Sequence, residues 1–172
     1  MATMNPPLRT WTQRSVWLIG ASSGIGLATA HALHAAGARV VVSARQGALL
    51  DQFVATHPGA YALTLDVTDA QAMRDAAERV KARQGLDVVV YCAGYYQAQS
   101  AQAYDLHSMQ THLSVNYTGA LLLLDIIWNT ITIRVLSSWC SWASALLLLY
   151  IIGNTITIGV SCSWYCRAST LL

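Results

Sequence analysis

The sequence predicts an α/β fold with a doubly wound parallel sheet that stops well before the last residues. Between Ser15 and Leu124, short runs of β-branched and aromatic residues alternate with longer segments of helical period, a pattern typical of parallel strands joined by crossover helices. The length of 172 residues suits one domain with a sizeable core and is short for two. Beyond Gly119 the alternation ends, and only Asp125, Arg134 and Arg167 carry charge.

Strands and helices are predicted in alternation. The predicted strands are short and apolar, as strands covered on both faces should be: Ser15–Ile19, Arg39–Ser43, Tyr61–Leu65 and Val88–Cys92. The predicted helices are Gly24–Ala36, Ala48–His57, Ala70–Gln84 and Met109–Leu124. Asp69 is placed to cap the third helix, and Gly85 to end it. Residues 1–14 are predicted to be an N-terminal extension of the domain at 15–124.

Composition argues against several classes of protein. The net charge of +2 is spread without the clustered basic face that nucleic-acid binding needs. The four cysteines include no Cys-x-x-Cys pair, and the five histidines show no metal-ligand spacing, so no metal site is expected. Residues 1–14 lack the apolar core of a signal peptide, which favours a cytoplasmic protein with free thiols.

The strongest motif is a glycine-rich loop between the first strand and the first helix. Its residues are Gly20, Ser22, Ser23, Gly24, Ile25 and Gly26, with Ala21 between them. Such a turn lets backbone amides approach a diphosphate, and the helix N-terminus adds partial positive charge. The alternative is a glycine-rich turn without a ligand.

The spacing Gly-x-x-x-Gly-x-Gly resembles the fingerprint of the short-chain dehydrogenase/reductase family, nicotinamide-dependent oxidoreductases with a Rossmann-like sheet. Three later features follow in the family's order. Asp66 and Val67 resemble the pair that lies against adenine, Cys92-Ala93-Gly94 resembles the Asn-Ala-Gly turn, and Asn116 resembles the helical asparagine that holds a water for proton relay. Taken singly, such an aspartate is commonly a cap and such an asparagine commonly solvated.

The end of the second strand predicts which nicotinamide cofactor is bound. A carboxylate at this point would accept the ribose hydroxyls of NAD, whereas a basic residue accommodates the 2′-phosphate of NADP. The sequence has Arg45 there, which can pair with a phosphate, and Ser43, which is small enough to leave room. NADP is therefore preferred over NAD, unless Arg45 merely faces solvent.

The resemblance also implies a catalytic Tyr-x-x-x-Lys pair, which the sequence lacks. A phenol is a poor base at neutral pH without a nearby cation, and the only lysine, Lys81, lies on the third predicted helix. Ser138 and Tyr150 fall near the family's interval for the catalytic serine and tyrosine, but Asn154 stands where the lysine belongs. The alternative is that both are incidental.

Residues 120–169 are two copies of one 25-residue apolar unit, Ala120–Ser144 and Ala145–Ser169. No charge occurs from Val135 to Cys166, a length sufficient for a bilayer span. Asn-Thr-Ile-Thr-Ile alternates in each copy and favours buried β segments instead. The sheet is expected to be incomplete, with one edge left open or covered by these repeats.

Three functional hypotheses follow. The first is an NADP-dependent oxidoreductase interconverting a small alcohol and a carbonyl compound, with impaired catalysis and with homo-oligomerisation left open. The second is a dinucleotide-binding module without turnover. The third is a truncated or frame-shifted product whose tail associates with membranes.

Overall fold

The computed structural model describes residues 10–100 and 102–128, together with the backbone of strands at 132–134, 146–152 and 155–161. Four parallel strands form the first part of the sheet: β1 (Ser15–Ile19), β2 (Arg39–Ala44), β3 (Tyr61–Thr64) and β4 (Val88–Tyr91). Their order in the sheet is β3-β2-β1-β4. The prediction of a Rossmann-like α/β fold is confirmed, and the strand bounds agree within one residue.

Helices cover both faces of these strands. They are α1 (Gly24–Ala35), α2 (Gly47–Thr56), α3 (Ala70–Gln84) and α5 (Gly119–Trp128). A further helix, α4 (Leu106–Leu113), precedes α5 in the chain. Alternate strand residues enter two apolar clusters. Trp17, Val41 and Val89 pack with residues of α3 and α5. Their neighbours Leu18, Val42 and Val90 pack with residues of α1 and α2. Strands buried on both faces explain why their sequences are continuous apolar runs.

Aspartates fix where two of the helices begin. The Oδ1 atom of Asp69 accepts hydrogen bonds from the N–H groups of Gln71 and Ala72, at 2.9 and 3.0 Å, which confirms the predicted cap of α3. Asp105 caps α4 in the same way, accepting from the N–H of His107 at 3.0 Å. The predicted start of this helix at Met109 is therefore wrong by three residues, because the capping role of Asp105 was missed.

A π-helical turn, Ser114–Thr118, separates α4 from α5 and was not predicted. The buried hydroxyl of Tyr91 donates a hydrogen bond of 2.6 Å to the carbonyl oxygen of Val115 within this turn. A Cβ atom at Gly119 would lie 2.5 Å from that hydroxyl oxygen and 3.1 Å from the carbonyl oxygen of Val67. The helix can thus approach β4 this closely only because residue 119 has no side chain.

The two apolar copies adopt different structures. The leucine run of the first copy lies in α5, whereas that of the second forms β6 (Leu146–Ile152). With β5 (Thr132–Arg134) and β7 (Thr155–Ser161), the sheet continues from β4 in the order β6-β7-β5. Strand β6 pairs antiparallel with β4, so the backbone of the second copy covers the edge of the parallel strands.

Within the part of the chain that the structure describes, no helix has the length and apolar character needed to cross a bilayer. The stretch 135–166, in which a bilayer span was considered, lies outside the described residues except for the backbone of β6 and β7.

The packing at Gly119 makes a testable prediction. We expect Gly119→Ala to lower the free energy of unfolding by about 1–3 kcal/mol, because the added methyl group overlaps the Tyr91 hydroxyl. In a Tyr91→Phe background, Gly119→Ala should lower the free energy of unfolding by a smaller amount, because the Tyr91 hydroxyl is absent. Urea unfolding of the four proteins measures the coupling, and an equal cost in both backgrounds would contradict the account.

Candidate functional site

The glycine-rich loop is fixed to the sheet by its own backbone. The N–H groups of Gly20 and Ala21 donate hydrogen bonds of 2.7 and 3.1 Å to the carbonyl oxygen of Ser43 in β2. The Ser43 side chain is fully buried, and its hydroxyl accepts a 2.9 Å hydrogen bond from the indole N–H of Trp17. Ser43 therefore supports the loop from beneath, and the expectation that its small side chain leaves room for a phosphate stays a prediction.

The glycines of the loop are needed for different structural reasons. Gly20 has φ +88°, and a Cβ there would overlap the backbone of Ala93 and lie 2.6 Å from the carbonyl carbon of Cys92. A Cβ at Gly26 would overlap the carbonyl oxygen of Gly20. Gly24 has φ +56° but nothing within 4 Å of its Cβ position. Close packing thus explains Gly20 and Gly26, whereas Gly24 borders open space.

Helix α1 begins at Gly24 and presents its N-terminus to the same space. Ser23 occupies the N-cap position in extended backbone, and its side chain makes no capping hydrogen bond. Backbone N–H groups at the start of a helix lack intrahelical acceptors, and the helix dipole adds partial positive charge there. An anion in this space would find both.

A cavity of about 440 Å³ lies at the carboxyl edge of the four parallel strands. It brings together all eleven residues that the sequence predicted for the cofactor: Gly20, Ser22, Ser23, Gly24, Ile25, Gly26, Arg45, Asp66, Val67, Ala93 and Gly94. Five further residues line it: Ala44, Gln46, Leu65, Cys92 and Val115. The sequence indicated Cys92 as part of the Cys92-Ala93-Gly94 turn but not as a cofactor residue, and the other four were missed. Gln46 directly follows Arg45, and Leu65 directly precedes Asp66. Their position next to predicted site residues is the signal that could have identified them.

Opposite charges share this cavity at Arg45 and Asp66. The Oδ1 atom of Asp66 accepts hydrogen bonds from the backbone N–H of Thr68 at 2.9 Å and from its hydroxyl at 2.7 Å. The backbone hydrogen bond is the largest cause that lowers the pKa of Asp66; burial opposes it, while the Thr68 hydroxyl and the Arg45 charge add to it. Asp66 is therefore ionised at neutral pH and forms a turn while lining the cavity.

The segment after β4 carries the Cys92-Ala93-Gly94 turn. The Cys92 thiol is free and half-buried, and burial raises its pKa. Burial, and to a lesser degree the charge of Asp66, likewise raise the pKa of Tyr91. Both groups are thus neutral at ordinary pH and form part of the apolar support beneath the cavity.

Of the three predicted catalytic residues, Asn116 has a described side chain, Tyr150 has a described backbone, and Ser138 lies outside the described residues. Asn116 lies in the π-helical turn, where its amide engages the backbone of Tyr95: Oδ1 accepts from the N–H at 2.7 Å, and Nδ2 donates to the carbonyl oxygen at 2.9 Å. The backbone of Tyr150 pairs with Val88, at the opposite end of β4 from Cys92. Lys81 lies within α3.

The pKa of Asp66 makes a prediction about acid stability. A carboxyl whose pKa is lowered by folding stabilises the folded state above the ordinary value, about 3.9, and this contribution is lost as pH falls through the folded value. We expect the unfolding free energy of Asp66→Asn to depend less on pH than that of the wild type between about pH 5 and about pH 3.

Thr68→Val serves as the control, because it removes the hydroxyl but keeps the backbone donor that is the largest cause of the shift. Its pH dependence should fall between those of the other two proteins in urea unfolding. Parallel curves for wild type and Asp66→Asn would show that the hydrogen bonds to Asp66 do not favour its ionised form.

Comparison with known sequences identifies the family. A family model described as short chain dehydrogenase matches residues 14–132, more than half of the chain. Among curated relatives, galactitol 2-dehydrogenase (L-tagatose-forming) of Cereibacter sphaeroides is 35% identical over 102 residues, covering 58% of this chain and 40% of the relative. Human L-xylulose reductase is 44% identical over 63 residues, covering 37% of this chain and 26% of the relative.

Solved structures agree with the sequence matches. A short-chain dehydrogenase/reductase from Brucella melitensis, described as a glucose/ribitol dehydrogenase, superposes with a TM-score of 0.66 at 25% identity, covering 73% of this chain and 57% of that one. One from Mycobacterium marinum gives 0.64 at 27% identity, covering 74% and 57%. The chain spans less than half the length of the curated relatives cited. Fold, glycine loop and sequence matches together show that it belongs to the short-chain dehydrogenase/reductase family.

Proposed function

We propose that this chain binds NADP(H) in the cavity at the carboxyl edge of its parallel strands. The observation that carries the proposal is the geometry at Gly24, where a positive φ and open space coincide with the uncapped start of α1. A side chain at this position would be strained and would project toward the ligand. A diphosphate fits this arrangement, because backbone donors and the helix dipole converge on it.

The adenosine end of the cofactor is assigned to the other side of the cavity. Asp66 and Val67 line it beyond the glycine loop and would lie against the adenine ring, as the family resemblance implies. Arg45 lines the cavity at the end of β2, where a 2′-phosphate would be located. Asp66 already attracts Arg45, and a phosphate carrying close to two negative charges would compete for it. These charges favour NADP over NAD.

The reaction that we propose for this chain, from its family, is interconversion of a small alcohol and a carbonyl compound. The bound nicotinamide would supply or accept the hydride, and residues of this chain would bind and orient it. The names of two relatives, galactitol 2-dehydrogenase and L-xylulose reductase, support a small polar alcohol or carbonyl substrate. Ala93, Gly94 and Val115 line the end of the cavity nearest the helix that carries Asn116.

For proton transfer, residues 1–172 lack a lysine placed four residues after a tyrosine. A tyrosine needs a nearby cation to act as a base at neutral pH, yet Lys81 is the only lysine and lies on α3. Asn116, Ser138 and Tyr150 remain the candidates for proton relay, carbonyl polarisation and proton transfer. We therefore propose impaired catalysis, with a dinucleotide-binding module that does not turn over as the alternative.

Gly24→Ala tests the binding site directly. We expect it to raise the dissociation constant for NADPH at least about tenfold, because the methyl group blocks charge-assisted hydrogen bonds to the phosphate. Fluorescence titration of NADPH with the full chain measures this. Gly59→Ala is the matched control: Gly59 also has a positive φ, +83°, and open space, but lies outside the cavity. Equal affinities for the two variants would refute the proposed diphosphate site.

Arg45→Asp tests the choice of cofactor. We expect the ratio of NADPH to NADH affinity to fall about tenfold or more, because a carboxylate repels the 2′-phosphate and accepts ribose hydroxyls. Arg74→Asp, on the exposed side of α3, makes the same change in net charge away from the cavity. If Arg45→Asp and Arg74→Asp have the same ratio of NADPH to NADH affinity, Arg45 does not select the cofactor.

Turnover separates the two functional alternatives. With NADPH bound, the impaired-enzyme proposal predicts slow but measurable oxidation of NADPH in the presence of a small ketose or ketone. The binding-module alternative predicts none above the rate without protein.

A further inference from the structure

The segment that follows β4 is held at two points by the helical region packed against it. Asn116 binds both backbone polar groups of Tyr95, as described above. One helical turn earlier, Nε2 of His112 lies 3.1 Å from the backbone nitrogen of Gln97 and accepts its hydrogen bond. The residues held, 95–97, directly follow the Ala93-Gly94 wall of the cavity. The two contacts therefore fix the direction in which the chain leaves that wall.

The hydrogen bonds of His112 define its tautomer. Nδ1 lies 2.8 Å from the carbonyl oxygen of Ser108, which can only accept, so Nδ1 carries the proton. Nε2 faces the N–H of Gln97, which can only donate, so Nε2 must be unprotonated. This arrangement requires a neutral imidazole. A proton added at Nε2 would remove the acceptor and set two donors against each other.

In the described part of the chain, the groups that contact the His112 ring are uncharged. The rings of Tyr95 and Tyr96 approach it edge-on, with centroids at 4.8 and 6.1 Å. The Gln97 side-chain oxygen is already engaged by the Tyr95 hydroxyl at 2.6 Å and lies 3.5 Å from the Ser108 hydroxyl. Within residues 10–100 and 102–128, neither a carboxylate nor a basic side chain takes part in the hydrogen bonds and ring contacts of His112.

We propose that His112 is a positioning residue that makes dinucleotide binding depend on pH. Neutral His112 holds Gln97 in the segment that follows Ala93 and Gly94. Protonation at Nε2 breaks that hydrogen bond, so of the two contacts only that of Asn116 remains and the wall of the cavity is less firmly fixed. The bound state then requires the loosened segment to be ordered again, so affinity falls as pH falls. The effect of pH on affinity rests on the proposed function, whereas the contact between His112 and Gln97 does not.

The first experiment measures the NADPH dissociation constant of the full chain at about pH 8 and about pH 5.5, where an imidazole is the main titrating side chain. Loss of one hydrogen bond corresponds to an increase of about threefold to tenfold in the dissociation constant at the lower pH. His112→Gln retains an acceptor near the position of Nε2 but does not titrate. It should bind as the wild type does at high pH and lose most of the pH dependence.

His107→Gln is the matched control, because it removes an imidazole from the same helix. His107 contributes only backbone groups to the hydrogen bonds of the described residues. This variant should keep the wild-type pH dependence, which includes any contribution from the phosphates of NADPH itself. If His112→Gln and His107→Gln give the same pH profile, His112 does not control affinity.

A ligand-free measurement tests the contact independently of NADPH. The amide resonance of Gln97 should shift with pH in the wild type, following the ring of His112, and should stop doing so in His112→Gln. An amide that shifts equally in both proteins would overturn the inference. Failure of NADPH to bind at high pH, together with the expected shift, would instead count against the proposed function alone.

Discussion

The close approach of two main-chain segments at the carboxyl edge of β1 and β4 is the constraint on which the site depends. Gly20 and the backbone of Cys92 and Ala93 lie so near each other that a Cβ atom at residue 20 would overlap them. The carbonyl oxygen of Ser43 holds the same loop from β2 through the N–H groups of Gly20 and Ala21, and α1 begins three residues after Ala21. The cavity and its backbone donors follow from these contacts.

Support for the site extends into the apolar layers beneath it. Trp17 is fully buried, yet its indole N–H donates to the Ser43 hydroxyl, so the loop is fixed by a side-chain contact as well as by backbone hydrogen bonds. On the other side, Tyr91 reaches from β4 to the π-helical turn and determines how near Gly119 can approach. Core packing and site geometry are therefore parts of one arrangement.

Local sequence signals predicted the parallel strands and the glycine-rich loop, but not the π-helical turn in the region that follows β4. Continuous runs such as Val40–Val42 and Val88–Val90 indicate strands buried on both faces, and the glycine spacing indicates the loop. The parallel strands were therefore predicted, and the eleven residues predicted to bind the cofactor line one cavity. The π-helical turn was not predicted, because it depends on Tyr91, which is distant in sequence from Val115. Nor did the sequence indicate that the Asn116 side chain engages Tyr95.

The two apolar copies show that nearly identical local sequences can adopt different secondary structures. Nearly identical leucine runs form α5 in one copy and β6 in the other, because the first packs on α3 and the second pairs with the edge of β4. Tertiary context, which no window of sequence contains, decides between them. The same limit applies to Tyr150, whose position in the sheet follows from that pairing.

Hydrogen exchange of the loop amides tests the central claim most directly. If the cavity holds a dinucleotide by its diphosphate, NADPH should slow exchange at the backbone N–H groups of residues 22–26 in the folded full-length chain, while the turn at Pro58-Gly59 exchanges at its original rate. Unchanged exchange at residues 22–26 under saturating NADPH would contradict the account.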